Sequence, residues 1–226
     1  MPEYIIQVED LTKWYGKVQA VKGISFVVPR GATCALLGAN GAGKTTTIAM
    51  LLGLLTPTSG RIWLLGEDLS KHRYRLLARI NFSSPYVDLP QRLTVAENLA
   101  VYARLYGVAN PKQRIARLSH ELEFTALLHR PYRTLSAGQK TRVMLAKALL
   151  NNPEIVLLDE PTASLDPDSA DRIRQYLRTY QRTSDATVFS ALKRTWGCIC
   201  VCSAASCAST TCASARAAAC ACSCAD

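Results

Sequence analysis

The chain has 226 residues and a formal charge of +10, enough length for one α/β domain with a helical insertion. No apolar run reaches the ~18 residues that span a bilayer, and Met1-Pro2-Glu3 opens no signal peptide, so a cytosolic chain is expected and any membrane role needs a partner. The positive charge raises nucleic acid or anionic lipid as partners, but the basic residues are dispersed and not interleaved with aromatics. Even Arg174, Arg178 and Arg182, which share a helical face, read as solvated surface, and no nucleic-acid partner is expected.

Residues 4 to 32 are β-rich and carry Trp14-Tyr15-Gly16. The apolar run Thr33-Cys34-Ala35-Leu36-Leu37 then predicts a buried parallel strand, and Thr45 to Leu55 predicts a helix. Between them, Gly38-Ala39-Asn40-Gly41-Ala42-Gly43-Lys44-Thr45 fills every fixed position of G-x-x-x-x-G-K-[ST]. Glycines let the backbone fold tightly, so successive N–H groups and the positive helix end can face a β-phosphate. Lys44 then reaches the β/γ oxygens of ATP and the Thr45 hydroxyl coordinates Mg²⁺. Thr46, next in the helix, completes the expected nucleotide contacts.

A mainly helical insertion follows over about residues 85–135, containing Leu93 to Leu99 and a helix started by Pro111 that runs toward Leu128. Leu135-Ser136-Ala137-Gly138-Gln139 precedes a helix from about Ala137 to Leu150, for which Ser136 is a natural N-cap. The strand Ile155-Val156-Leu157-Leu158 ends in Asp159-Glu160. A strand apolar at four successive positions is buried on both faces, and charges at its carboxyl end lie where open α/β sheets bind ligands. Asp159 is expected to hold the magnesium ion and Glu160 to polarise the attacking water.

With these three segments in place, residues 3 to 189 resemble the nucleotide-binding subunit of an ABC transporter. The resemblance implies an α/β P-loop NTPase core with a mainly parallel sheet, an N-terminal antiparallel β portion and a helical insertion. Leu135 to Gln139 resembles the family signature, usually written with two glycines, with Ala137 in place of one. The family implies a head-to-tail dimer in which Ser136, the Gly138 N–H and Gln139 approach the γ-phosphate held by the second subunit. Tyr15 occupies the place of the aromatic that stacks on adenine, although an isolated Tyr also suits a core. Ser164-Leu165-Asp166 resembles the loop that crosses the dimer interface, with Asp166 the informative member. Pro167 then starts a helix to about Gln181, with Asp168 in its first turn.

Two positions depart from the family. The Gln that usually follows the strand Arg79-Ile80-Asn81-Phe82-Ser83 is replaced at Ser84 or Pro85, and Gln91 stands at the wrong offset. The His expected after Ala186-Thr187-Val188-Phe189 falls near Lys193, while His72, His120 and His129 all lie upstream of Asp159. Lys can pair with phosphate but lacks the donor and acceptor pair of a neutral imidazole.

From Cys198 onward the chain turns to Ala, Cys, Ser and Thr, and of its nine cysteines all but Cys34 lie there. Cys198-x-Cys200-x-Cys202 and Cys220-x-Cys222-x-Cys224 leave metal chelation or disulfides open. The expectation is a low-complexity tail over 191–226, outside the fold, of the kind an out-of-frame coding end produces.

Leu93 to Leu99, followed by Tyr102-Ala103-Arg104-Leu105-Tyr106-Gly107, is similar to exporters of the ABC-2 type. The expectation is therefore a Mg²⁺-dependent ATPase subunit, peripheral on the cytoplasmic membrane face, driving export through separate membrane-spanning permease subunits. Two alternatives remain: a module that binds ATP without hydrolysing it efficiently, and a soluble ABC ATPase.

Overall fold

A computed structural model of the chain describes residues 3–84, 87–162, 165–193 and 200–203. Strands β1 (Tyr4–Tyr15) and β2 (Val18–Pro29) form an antiparallel hairpin, closed where Tyr15 pairs with Val18; β2 alternates buried and exposed positions from Ile24 to Pro29, whereas β1 breaks the alternation at Ile5-Ile6 and Glu9-Asp10, where the register shifts. That alternation is what a sheet with one covered face requires. β4 (Ser59–Leu64) then pairs antiparallel with β1, and the short β5 (Glu67–Asp68) pairs with β4. The first sheet thus has the order β2-β1-β4-β5.

The second sheet carries β3 (Thr33–Gly38), β6 (Ile80–Ser83), β7 (Ile155–Asp159) and β8 (Thr187–Lys193) in parallel, in the order β6-β7-β8-β3. Every residue of β7 is buried. Ile155 and Leu157 enter one core with β1, β2 and α1 (Lys44–Leu51), whereas Val156 and Leu158 enter a second core beneath the insertion. The period-two alternation of one strand therefore serves two layers. Phe26 of β2 stacks on Phe189 of β8 at a centroid distance of 5.6 Å and joins the two sheets; burying each such ring contributes roughly 1.5–3 kcal/mol.

The helical insertion carries α3 (Val95–Leu105) and α4 (Pro111–Glu121), after α2 (Leu69–Leu77). Thr94 and Glu97 close a capping box on α3, and Pro111 stands at the start of α4. The helix expected toward Leu128 stops earlier, because Glu123 takes φ 56°, a left-handed conformation that ends an α-helix, and a 3₁₀ turn follows over Thr125–Leu127. α5 (Ala137–Leu149) and α6 (Pro167–Ser184) complete the layer.

The expectation that residues 191–226 lie outside the fold is corrected for the few of them that are described, 191–193 and 200–203. β8 continues through Lys193, and β9 (Cys200–Ser203) pairs antiparallel with β3, matching Cys34 to Ser203 and Leu37 to Cys200. Without β9, β3 would be the edge of its sheet, and an edge offers unpaired backbone groups that almost any extended segment can satisfy. Cys198 and the cysteines from Cys207 onward lie outside the described residues.

Candidate functional site

The strand registers bring the chemistry together. Gly38, the last residue of β3, pairs with Lys193 of β8, and Ala191 of β8 pairs with Asp159 of β7. Three strand ends therefore stand side by side at the carboxyl edge of the parallel sheet, where such sheets bind ligands.

The loop 39–43 turns from β3 into α1, and Gly43 caps the helix at φ 89°, ψ 10°. A Cβ on Gly43 would stand 2.3 Å from the Ala20 carbonyl oxygen and 3.0 Å from Val21 Cγ2, so β2 presses directly on the loop. Lys44 is buried, and its Nζ donates to the Gly38 and Ala39 carbonyls at 2.8 Å each. The loop is thus wrapped around its own ammonium. Thr47 locks the turn from the helix side: its N–H and Oγ1 both donate to the Gly43 carbonyl, at 2.8 and 2.9 Å. No acidic residue occupies the first turn of α1, so the positive helix end is uncompensated and suits an anion.

Thr45 Oγ1 donates to Asp159 Oδ2 at 3.3 Å, joining the loop to the end of β7. Asp159 is buried, and this burial raises its pKa above the ordinary carboxylate value; the Thr45 hydrogen bond opposes the rise and the Glu160 charge adds to it. Glu160 is half-buried and held at φ 46°, with its N–H donating to the Ala191 carbonyl at 2.9 Å. A left-handed conformation in a non-glycine residue costs about 1–2 kcal/mol, and such strain collects at functional sites. Asp159 and Glu160 line a cavity of about 260 Å³ shared with Ser84, Ala137, Lys140 and Thr141. An oxygen-only pair, hydroxyl and carboxylate, fits a hard cation such as Mg²⁺, which keeps most of its shell for water and phosphate oxygens.

The remaining predicted residues fall into two places. Tyr15, half exposed, closes the β1–β2 hairpin whose second strand presses on the loop. Ser136 caps α5: its Oγ accepts from Gln139 N–H at 3.3 Å while Gln139 Oε1 accepts from Ser136 N–H at 3.0 Å. Asp166 caps α6, its Oδ1 accepting from Ser169 N–H at 2.9 Å, and that bond holds its carboxyl below the ordinary value. A Cβ on Gly138 would lie 3.2 Å from Leu165 Cδ2, so the start of α5 and the Asp166 loop are adjacent. Ser164 and Pro85 lie outside the described residues. Ser84 is buried in the wall of the cavity, whereas Gln91 donates to Asp88. One residue was not anticipated: Lys13 Nζ sits 5.5 Å from the Tyr15 ring centroid. Its two-residue spacing from Tyr15 on a strand was the only signal available.

Residues 21–163 match the family model for ABC transporters. The chain belongs to the ABC transporter family. Among curated ABC relatives it is 40% identical over 178 residues to a Nod factor export ATP-binding protein I of Ralstonia nicotianae, covering 77% of this chain and 55% of that protein. It is 38% identical over 188 residues to the bacitracin transport ATP-binding protein BcrA of Bacillus licheniformis, covering 82% and 60% respectively. The chain thus spans little more than half the length of these relatives. Among solved ABC structures it resembles cbiO1 of Clostridium perfringens, part of the transporter complex cbiONQ, with TM-score 0.76 and 30% identity over 85% of this chain and 80% of that one. The α/β core with a parallel sheet and an antiparallel N-terminal sheet is the fold of this ABC family.

Proposed function

We propose that this chain is the ATP-binding and ATP-hydrolysing subunit of an ABC-2 type exporter, working through separate membrane-spanning permease subunits. The observation that carries the reading is the Thr45–Asp159 hydrogen bond, which fixes the phosphate loop against the strand end bearing Glu160. Gly38 to Gly43 would wrap the phosphates, with Lys44 and Thr46 at the helix start and Tyr15 against the base. Lys44 would leave its two carbonyls for phosphate oxygens, exchanging neutral acceptors for charged ones. Thr45 and Asp159 would hold Mg²⁺, which supplies neutralisation of phosphate charge. Glu160 would orient a water and take its proton as the water oxygen bonds to the γ-phosphorus and the bond to the ADP oxygen breaks, releasing inorganic phosphate.

The exposed Ser136 and the neighbouring Gly138, Gln139 and Asp166 favour a second copy arranged head to tail, each signature segment closing the other's phosphate site. Ser136 at a helix start suits an anion for the same reason as α1 does. Among the described residues no helix is long and apolar enough to cross a membrane, and the relatives' roles in export and transport support a peripheral place on the cytoplasmic membrane face. A second reading, ATP binding without efficient hydrolysis, is favoured by Lys193 at the position where the family has His.

Sedimentation velocity tests the composite site. Glu160→Gln is expected to form a dimer with MgATP and to remain a monomer when Ser136→Arg is added. A Glu160→Gln chain that binds MgATP yet stays monomeric at all concentrations overturns the head-to-tail arrangement.

A further inference from the structure

The end of β1 is tied to the segment that follows α1. Thr58 N–H donates to the Thr12 carbonyl at 2.9 Å, Trp14 N–H donates to Thr58 Oγ1 at 3.0 Å, and the Thr12 and Ser59 hydroxyls share a hydrogen bond of 2.6 Å. Within this frame Lys13 Nζ donates to the Thr56 carbonyl at 2.7 Å and lies 5.5 Å from the centre of the Tyr15 ring. Although the pairing with β2 is irregular between Lys13 and Trp14, the contact of the Lys13 ammonium with the Tyr15 ring puts both on the same side of the strand end. A base docking on this side would therefore meet the Tyr15 ring.

Tyr15 is 51% exposed, at the tip of a hairpin. A ring so placed is free to swing about its side-chain torsions, and a base stacking on it would have to halt that motion. Lys13 is half-buried and anchored by a carbonyl, which makes it a fixed cation over an exposed ring. A cation near one face of a ring is attracted to that face and leaves the opposite one open. Thr56 belongs to the segment leaving α1, the helix begun by Lys44, so Lys13 ties the strand end bearing the ring to the element that follows the phosphate loop.

We propose that Lys13 is a positioning residue for the nucleobase: held on Thr56, its ammonium fixes the Tyr15 ring so that the free face receives adenine. The inference rests on Tyr15 being the base platform. An exposed cation–π contact contributes roughly 0.5–1 kcal/mol, which corresponds to a two- to five-fold change in affinity.

The test is calorimetric titration of the full chain with MgATP and, separately, with magnesium tripolyphosphate, which has phosphates but no base. Lys13→Met keeps the aliphatic stem and removes the charge; it is expected to weaken MgATP about two- to five-fold and to leave tripolyphosphate unchanged. Lys13→Arg is expected to restore MgATP affinity. Equal weakening of both ligands would assign Lys13 to phosphate attraction or to the fold, and would overturn the proposal. So would unchanged MgATP affinity in Lys13→Met when Tyr15→Ala weakens it. If Tyr15→Ala leaves MgATP affinity intact, the base platform itself is refuted, and the Lys13 role with it. Lys13→Gln replaces the Met variant in each comparison if thermal melting shows that the latter does not fold.

Discussion

Two glycines of the phosphate loop make a quantitative pair. Gly41 and Gly43 both have positive φ, 79° and 89°, but a Cβ on Gly41 meets nothing within 4 Å whereas one on Gly43 would lie 2.3 Å from the Ala20 carbonyl oxygen. Alanine at either position bears a left-handed penalty of about 1–2 kcal/mol. At Gly43 the loop must also retreat from β2 by about 1 Å to restore ordinary contact, and overpacking of this kind costs a further ~1–3 kcal/mol. For a domain of this size each kcal/mol shifts Tm by roughly 2–4 °C. Gly41→Ala should therefore lower Tm by about 2–8 °C, and Gly43→Ala by a further ~2–12 °C. Circular dichroism melts without nucleotide measure both, and MgATP titration shows whether the displaced loop still binds. Gly43→Ala is expected to bind no MgATP, while Gly41→Ala binds weakly. A Gly43→Ala melt equal to or above that of Gly41→Ala would refute the idea that β2 buttresses the loop.

Asp159 has a folded pKa above its unfolded value of 3.8, chiefly through burial. The charged form is thus penalised in the fold, with no penalty below the unfolded pKa and the full penalty once pH has risen through the folded one. Asp159→Asn should raise the nucleotide-free Tm at pH 7, lose this gain near pH 3, and abolish stabilisation by MgATP; a lowered Tm at pH 7 would contradict the burial argument. Glu154 behaves oppositely, because Arg79 and then Arg30 hold its pKa below the unfolded 4.5. Its contribution is present above that value and fades as pH falls through the folded pKa. Glu154→Gln should melt a few degrees lower at pH 7, in line with partly exposed pairs worth about 1 kcal/mol, and the gap should close in acid. Asn81 is buried and donates to the Ala148 carbonyl at 2.7 Å and to Asn151 Oδ1 at 2.6 Å; Asn81→Ala should cost about 1–3 kcal/mol in urea unfolding by stranding that carbonyl. An unchanged midpoint would show that water replaces the amide.

How legible each part was follows the range of the interactions that build it. β3, its loop and α1 could be read because Thr33 to Thr45 holds an apolar run, spaced glycines and Lys-Thr within one short window. β7 was equally plain, since a strand buried on both faces must be apolar throughout and its Asp159 breaks that run. The caps at Ser136, Thr94 and Asp166 all follow local chemistry, but of the three only Ser136 is read as a cap from the sequence; Asp166 is expected there as a residue of the interface loop. By contrast, the pairing of β4 with β1 joins segments on either side of α1, and no local pattern encodes it. β9 escaped because its place depends on the open edge of β3 and not on a hydrophobic period of its own. Lys13 escaped because its anchor, the Thr56 carbonyl, lies 43 residues away in sequence.

Lys44, Thr45, Asp159 and Glu160 are proposed to form one MgATP site that hydrolyses its ligand. Steady-state phosphate release by the purified chain, run beside Glu160→Gln and Lys44→Ala with MgATP binding measured on the same samples, tests it most directly. Turnover is expected in the parent chain, binding without turnover in Glu160→Gln, and neither in Lys44→Ala. Turnover in Glu160→Gln equal to that of the parent chain would contradict it.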